Sequence, residues 1–291
     1  MTPIVVVRDV PSLRAAVAAA RARGERVAFV PTMGALHEGH LQLIDRARAQ
    51  AACVVLSIFV NPLQFAPTED LSRYPRTEAA DLAAAEARGC SIAFVPPVEV
   101  MYPGPPAVSV VPQALAERWE GALRPGHFAG VLTVVAKLFN MVRPDVAVFG
   151  QKDLQQVLLV QALVRDLDFA LTIDVAPIVR EADGLAMSSR NRYLAPEERR
   201  IAATLPQVLA DVADAWHAGA RDVATLLRNA TARLDAEPAI RPDYLAVVDP
   251  ATLAPRELRA EAGDYVILAA RVGATRLLDN HRLGDPTLPL P

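Results

Sequence analysis

The sequence predicts an α/β protein: a doubly wound parallel sheet followed by a smaller α+β unit. Three observations predict it. Short apolar runs at residues 27–30, 53–60, 92–95 and 146–149 alternate with segments of helical periodicity, joined by short loops. The run 53–60, CVVLSIFV, is apolar almost throughout, as in a central strand covered on both faces. After Ile178 the alternation stops, and helical stretches precede two strands. Domains are expected at 1–178 and 179–291.

Taken in order, residues 4–7 form a first short strand. Ser12 caps a helix over 13–23, and Gly24 stops it. The strand 27–30 runs through residues 31–40, PTMGALHEGH, into a helix over 41–50. The strand 53–60 ends in Asn61-Pro62-Leu63-Gln64-Phe65, and 70–76, DLSRYPR, is a polar connection. A helix over 78–88 stops at Gly89, and a strand follows at 92–95. Residues 96–112, rich in proline and glycine, are irregular; 114–119 supply one or two helical turns. Residues 121–130, GALRPGHFAG, read as a flexible loop, and 131–142 as an apolar core helix. A strand at 146–149, a helix ending near Leu167 and a strand at 171–175 complete the first domain. In the second, 188–192 are a polar loop, Pro196 opens a helical stretch to 218, and a helix covers 222–235. Strands at 244–248 and 265–270 pair antiparallel.

With 291 residues, 52% hydrophobic and 22% charged, the chain is large enough for one big domain or two smaller ones. A net charge of −3 without a basic block argues against nucleic acid or an anionic membrane as partner. Cys53 and Cys90 are too few for a disulfide framework or a zinc cluster, and read as reduced core thiols of a cytoplasmic protein. The start, MTPIVVVRDV, is too short and too charged for a signal peptide. No apolar run approaches the ~20 residues of a membrane span.

Residues 31–40 form a strand-to-helix turn, the place where open α/β sheets bind ligands. His37 and His40 are three apart and share one face near the helix N-terminus. That terminus offers unpaired N–H groups and partial positive charge to a phosphate, and two imidazoles add donors. Gly39 lets a flat nucleobase approach the backbone. A polar helix face or half of a metal site would produce the same pair. Lys152, at another strand end, suits a phosphate as a point charge, while Asp153 caps a helix or orients a ribose hydroxyl. One of Gln155 and Gln156 faces the pocket. Ser188, Ser189 and Arg190 form either an ordinary loop or a phosphate clamp. Asn61 and Gln64 suit a small hydroxylated substrate, although Asn-Pro also favours turns. Asp81 is a helix-dipole partner or a carboxylate near Mg²⁺. Arg124 and His127 either reach phosphate or are exposed.

H-E-G-H directly after a strand resembles the H-x-G-H signature of the nucleotidyltransferase superfamily; a zincin would need H-E-x-x-H. The motifs PTMGALHEGH, SIFVNPLQF, DLSRYPRT, RPGHFAGVLTVVAKLFN, FGQKDLQQ and MSSRN together resemble the pantoate–β-alanine ligase (pantothenate synthetase) family over nearly the whole chain. The resemblance implies a Rossmann-like N-terminal domain, a smaller C-terminal lid and a homodimer. It implies attack of the (R)-pantoate carboxylate on the α-phosphate of Mg-ATP, release of pyrophosphate, and capture of the pantoyl adenylate by β-alanine with release of AMP. It assigns phosphate contacts to His37 and His40, and the β- and γ-phosphates to Lys152, Ser188, Ser189 and Arg190. Met33, Gly39, Gly150, Asp153, Val179 and Met187 fall in the nucleotide pocket. Pro31, Thr32, Asn61, Gln64 and Gln156 fall to pantoate. Asp81 is a candidate Mg²⁺ ligand, the metal being otherwise held by ATP. The alternatives are another adenylyl- or cytidylyltransferase, or a nucleotide-binding regulator without turnover. A tRNA synthetase would need a basic tRNA-binding extension.

Overall fold

The computed structural model describes residues 3–67, 69–286 and 288; the first two residues of MTPIVVVRDV lie outside this set. Contacts divide the chain into two units: residues up to Gln151 with Gln155–Pro177, and Lys152–Leu154 with the residues from Ile178 on.

The first unit runs β1 (Val5–Val7), α1 (Val10–Ala22), β2 (Val27–Thr32), α2 (Glu38–Arg48), β3 (Cys53–Ile58), α3 (Glu78–Ala87), β4 (Ile92–Phe94), α4 (Val98–Met101), α5 (Glu120–Leu123), α6 (His127–Val142), β5 (Val146–Gly150), α7 (Leu154–Asp166) and β6 (Thr172–Ala176). The six strands are parallel, in the order β1-β4-β3-β2-β5-β6. Alternate strand residues feed two cores, as the two-residue period requires. Val27 and Phe29 of β2, Val55 of β3 and Phe94 of β4 pack with residues of α1, α6 and α7. Ala28 and Val30 of β2, Leu56 of β3 and Ala93 of β4 pack with Leu43 and Ile44 of α2 and Ala85 of α3. Each fully buried side chain the size of Phe29 or Leu56 stabilises the fold by about 1.5–3 kcal/mol relative to exposure. Both sheet faces are therefore covered, and the doubly wound class expected from the sequence is observed.

From β2 the chain moves to β3 on one side and later comes back to β5 on the other, so the order reverses between β2 and β5. There β2 and β5 pair at Ala28–Val146 and Phe29–Ala147, whereas β2 and β3 pair from Val27–Cys53 to Thr32–Ile58.

The second unit contains α8 (Pro196–Ala202), α9 (Thr204–His217), α10 (Val223–Asp235), β7 (Ile240–Val248), β8 (Tyr265–Val272) and β9 (Thr275–Arg282). The strands form an antiparallel sheet in the order β7-β8-β9. Leu205, Leu209 and Trp216 of α9 share a core with Leu226 of α10 and Leu268 of β8.

Several boundaries differ from expectation for identifiable reasons. Asp9, not Ser12, caps α1: its carboxylate accepts from the Ser12 N–H at 2.8 Å, and Pro11 fits the first turn. Helix α2 starts at Glu38, with His37 as its N-cap. Residues 121–130 are not a flexible loop. They hold most of α5 and the first turn of α6, which opens at left-handed Gly126. The helical stretch from Pro196 breaks at Ala203, because Pro206 has no N–H for the Ala202 carbonyl. Strand β9 is a third partner that the sequence reading missed.

Candidate active site

The turn after β2 is built by the backbone. Gly34 and Ala35 are both left-handed, with φ of 82° and 51°. A Cβ on Gly34 would lie 2.9 Å from Ile58 Cγ2 and 3.0 Å from Asp81 Oδ2. The turned N–H groups point at Asp81, which is 3% exposed. Its Oδ2 accepts from Ala35 N–H at 2.9 Å, and its Oδ1 from Leu36 N–H at 2.8 Å and the Thr77 hydroxyl at 3.0 Å. Thr32 adds a second tie: its Oγ1 accepts from Gly34 N–H at 3.2 Å and donates to the Ser57 carbonyl at 2.7 Å. Pro31 and Met33 flank Thr32, half-buried.

The turn delivers His37 and His40 side by side at the start of α2, rings 4.0 Å apart and tilted by 34°. The His37 N–H donates to His40 Nδ1 at 3.4 Å. With Nδ1 accepting, a neutral His40 ring carries its proton on Nε2, which is then the donor nitrogen. Gly39 lies between the two, half-buried. Glu38 points its carboxylate at Arg88, which donates to both oxygens at 2.9 and 2.8 Å.

The turn after β3 is built by side chains. Asn61, 1% exposed, has every amide atom engaged within the protein. Its Nδ2 donates to Gln64 Oε1 at 3.0 Å and the Gly130 carbonyl at 3.1 Å; its Oδ1 accepts from the Tyr102 hydroxyl at 2.9 Å and Leu63 N–H at 3.3 Å. Gln64 in turn donates from Nε2 to Met33 Sδ at 3.1 Å. Gly130 permits this packing, since a Cβ there would lie 2.2 Å from the Leu63 carbonyl oxygen. Arg124 and His127 are half-buried in the same corner. Arg124 forms a two-pronged pair with Glu69 at 2.6 and 2.9 Å, and His127 contacts the Gln64 carbonyl at 2.8 Å.

Strand β5 ends at Gly150, where an added Cβ would meet nothing within 4 Å. Gln155 is committed to structure: it accepts from Glu120 N–H and donates to the Leu115 and Arg118 carbonyls. Half-buried Gln156 makes no hydrogen bond through its amide among the described residues.

In the second unit Lys152 is 3.8 Å from half-exposed Asp153, and its carbonyl accepts from Asn280 Nδ2 at 3.1 Å. Val179 and Met187 face each other across a small hairpin, Met187 N–H donating to the Val179 carbonyl at 2.9 Å. Ser188 caps the short 3-10 helix Ser189–Tyr193 by accepting from Arg190 N–H. Asn191 fastens this segment to Glu181 at 2.6 Å and the Ala186 carbonyl at 3.0 Å. Beneath it Arg180 and Asp279 pair at 2.7 and 3.0 Å, their side chains 9% and 3% exposed. Removing one partner of such a buried pair typically costs about 3–5 kcal/mol.

Within the first unit the structure thus brings together His37, His40, Met33 and Gln64 around the β2 and β3 ends. Within the second it brings together Val179, Met187 and Ser188–Arg190. Asn61 and Asp81 have roles within the protein that their sequence context left open. The residues that sequence reasoning missed are Glu69, Tyr102, Gly130 and the Arg180–Asp279 pair; none carries a local signal, because each acts on a residue far along the chain.

A model of the family described as pantoate-beta-alanine ligase matches residues 5–282. A pantothenate synthetase from Rhizorhabdus wittichii is 51% identical over 94% of this chain and 97% of its own. One from Acidobacterium capsulatum is 54% identical over 89% and 86%. The crystal structure of pantothenate synthetase from Thermus thermophilus superposes with a TM-score of 0.91 at 48% identity, covering 96% of this chain and 99% of that one. A pantoate–β-alanine ligase from Francisella tularensis, crystallised with Beta-gamma ATP and β-alanine, superposes at 0.78 with 29% identity, covering 96% and 97%. The chain belongs to the pantoate–β-alanine ligase family.

Proposed function

We propose that this protein is an ATP-dependent ligase that condenses (R)-pantoate with β-alanine to pantothenate, through a pantoyl adenylate and with release of pyrophosphate and AMP. The observation that carries this reading is the paired His37 and His40 at the N-terminus of α2, at the sheet's switch point, in a chain matched by the family over residues 5–282. A carboxylate nucleophile is already ionised near neutral pH, so the first step needs no general base. It needs alignment with the α-phosphate and donors that meet the charge growing on the phosphates. We assign the α-phosphate to the two histidines, and the β- and γ-phosphates to Lys152, Ser188, Ser189 and Arg190. Gly39, Gly150, Asp153, Val179 and Met187 are assigned to the nucleotide, with Met33. Gln64 and Gln156 are assigned to pantoate, beside Pro31 and Thr32, with Asn61 holding Gln64. A protein nucleophile is not part of this chemistry. Burial pushes both thiols up, Cys90 to about 12, so neither offers a thiolate.

Mg²⁺ enters this reading as part of the substrate, on the ATP phosphates. Among the described residues no three His, Cys, Asp or Glu side chains cluster as metal ligands, and both Asp81 oxygens accept from protein donors. We extend the reading to a cytoplasmic homodimer on the family resemblance. Among the described residues no helix is long and apolar enough to cross a membrane.

Pantoate-dependent exchange of labelled pyrophosphate into ATP, measured without β-alanine, tests the adenylate. Exchange is expected, with AMP as the nucleotide product once β-alanine is added. ADP and phosphate as products, or exchange that requires β-alanine, would overturn the two-step route.

A further inference from the structure

We propose that Glu69, Arg124 and His127 are positioning residues for the hydroxy-acid substrate, forming a hydrogen-bonded relay that fixes the Gln64 main chain. The inference rests on the reading that Gln64 contacts pantoate. The sequence left Arg124 and His127 as phosphate contacts or exposed side chains; their geometry gives them other work.

Arg124 spends its fork on Glu69, with Nε to Oε1 at 2.6 Å and Nη2 to Oε2 at 2.9 Å. Its remaining Nη1 lies 2.9 Å from His127 Nε2. A guanidinium only donates, so Nε2 accepts and the ring proton sits on Nδ1. Nδ1 then donates to the Gln64 carbonyl at 2.8 Å. The relay has one direction throughout: Arg124 donates to both Glu69 and His127, and His127 donates to Gln64. Burial and, after it, the Arg124 charge push the His127 imidazole down to about 4, so the accepting nitrogen persists at neutral pH. Glu69 is held below the usual carboxylate range: burial opposes ionisation, and the Arg124 hydrogen bond, the Arg124 charge and the Ala66 N–H together outweigh it.

Gln64 needs such an anchor because its own turn is weakly closed. It ends the 3-10 helix Pro62–Gln64, whose two bonds, Gln64 N–H to Asn61 carbonyl and Phe65 N–H to Pro62 carbonyl, are both 3.4 Å long. The side chain is set separately by Asn61 and Met33. Two independent supports thus converge on one residue. Supports of this kind decide how well a polar group meets its substrate.

Steady-state kinetics of the full chain test the relay. His127→Ala and Glu69→Gln should each raise the KM for pantoate about tenfold, the size expected when one aligned hydrogen bond is lost, with the KM for ATP changed less than about twofold. His127→Asn keeps a donor near Nδ1 and should recover part of the loss. The decisive arm is the Gln64→Ala background. Gln64→Ala alone should raise the pantoate KM, and adding either relay substitution should raise it no further, because the relay then has no side chain to aim. A purely structural role would instead give equal changes in both KM values, or effects that add in Gln64→Ala; either result overturns the relay, as does an unchanged pantoate KM. If His127→Ala does not fold, Glu69→Gln carries the same comparison. An unchanged pantoate KM in Gln64→Ala itself would remove the Gln64 assignment and the relay with it.

Discussion

The turns that follow β2 and β3 lie side by side and are made in opposite ways. The β2 turn holds its shape through left-handed Gly34 and Ala35, whose chain reversal is pinned by the Asp81 carboxylate, with the Thr32 hydroxyl as a lesser tie. The β3 turn has weak internal bonds and is held from three other segments: by the side chains of Tyr102 and Met33 and, from residues 124–130, by Arg124 with His127 and the Gly130 carbonyl. A backbone-built turn fixes where a helix begins, and so where His37 and His40 stand. A side-chain-built turn fixes one amide with several adjustable contacts. The first should fail abruptly when its pin is removed; the second should weaken by steps.

The largest expected effect is therefore at Asp81. Asp81→Ala removes the carboxylate that accepts from the N–H groups of buried Ala35 and half-buried Leu36. Losing these two charge-assisted hydrogen bonds and the Thr77 hydroxyl's contact should lower the unfolding free energy by about 3 kcal/mol or more, read from urea denaturation. Pyrophosphate exchange should fall with it as the histidine pair loses its footing. A stable Asp81→Ala protein with intact exchange would show that the turn does not depend on its pin.

The next effect concerns His127 and pH. The ring's ordinary value of 6.5 is pushed down to about 4 in the fold, first by burial and then by the Arg124 charge, while the Gln64 carbonyl, Glu69 and Glu120 act the other way. Between those values the unfolded chain binds more protons than the native one, so stability falls as pH drops from about 6.5 towards about 4. The part due to this ring should reach about 3 kcal/mol once the pH lies below both values. Other groups titrate in this window, among them buried His281, whose pKa burial also lowers. The informative quantity is thus the difference between the parent and His127→Gln, measured by urea denaturation from pH 7 to pH 4. An identical pH slope in both proteins would mean the ring is not held neutral.

What the sequence revealed and what it concealed follow the same division. The parallel strands were legible because their apolar runs are local, and the turn at residues 31–40 because His37, Gly39 and His40 are close in sequence. The start of α6 was hidden because glycines in 121–130 suggested flexibility. In the fold Gly126 supplies a left-handed cap and Gly130 a close approach to Leu63. Strand β9 was hidden because Asp279-Asn280-His281 looks too polar for a run of buried strand residues. Asp279 becomes tolerable there through Arg180, and Asn280 through the Lys152 carbonyl, partners 99 and 128 residues away. Asn61 and Asp81 carried two readings each, and only distant partners show that their polar atoms are engaged within the protein. Residue type signals which chemistry is available; it does not reveal which long-range partner has already taken it.

The smallest expected effect sharpens the contrast from the other side. Arg88 reaches from the end of α3 to Glu38 and Asp45 of α2, so it is a side-chain tie on the backbone-built turn. Its side chain and that of Glu38 are 32% and 40% exposed. Exposed pairs of this kind contribute little, because water and salt screen them and two long side chains must be ordered. Arg88→Ala should shift Tm by no more than about 2 °C. Its kinetic signature should be more specific. Glu38 lies on the first turn of α2 between the two histidines, and Arg88 offsets its charge where we assign the phosphates. Without Arg88 that carboxylate opposes an anionic ligand, so the KM for ATP should rise about twofold at low salt. The rise should fade as ionic strength shortens the Debye length. A salt-insensitive loss as large as that of Asp81→Ala would mean the β2 turn, too, is held by its side chains, and the distinction between the two turns would collapse.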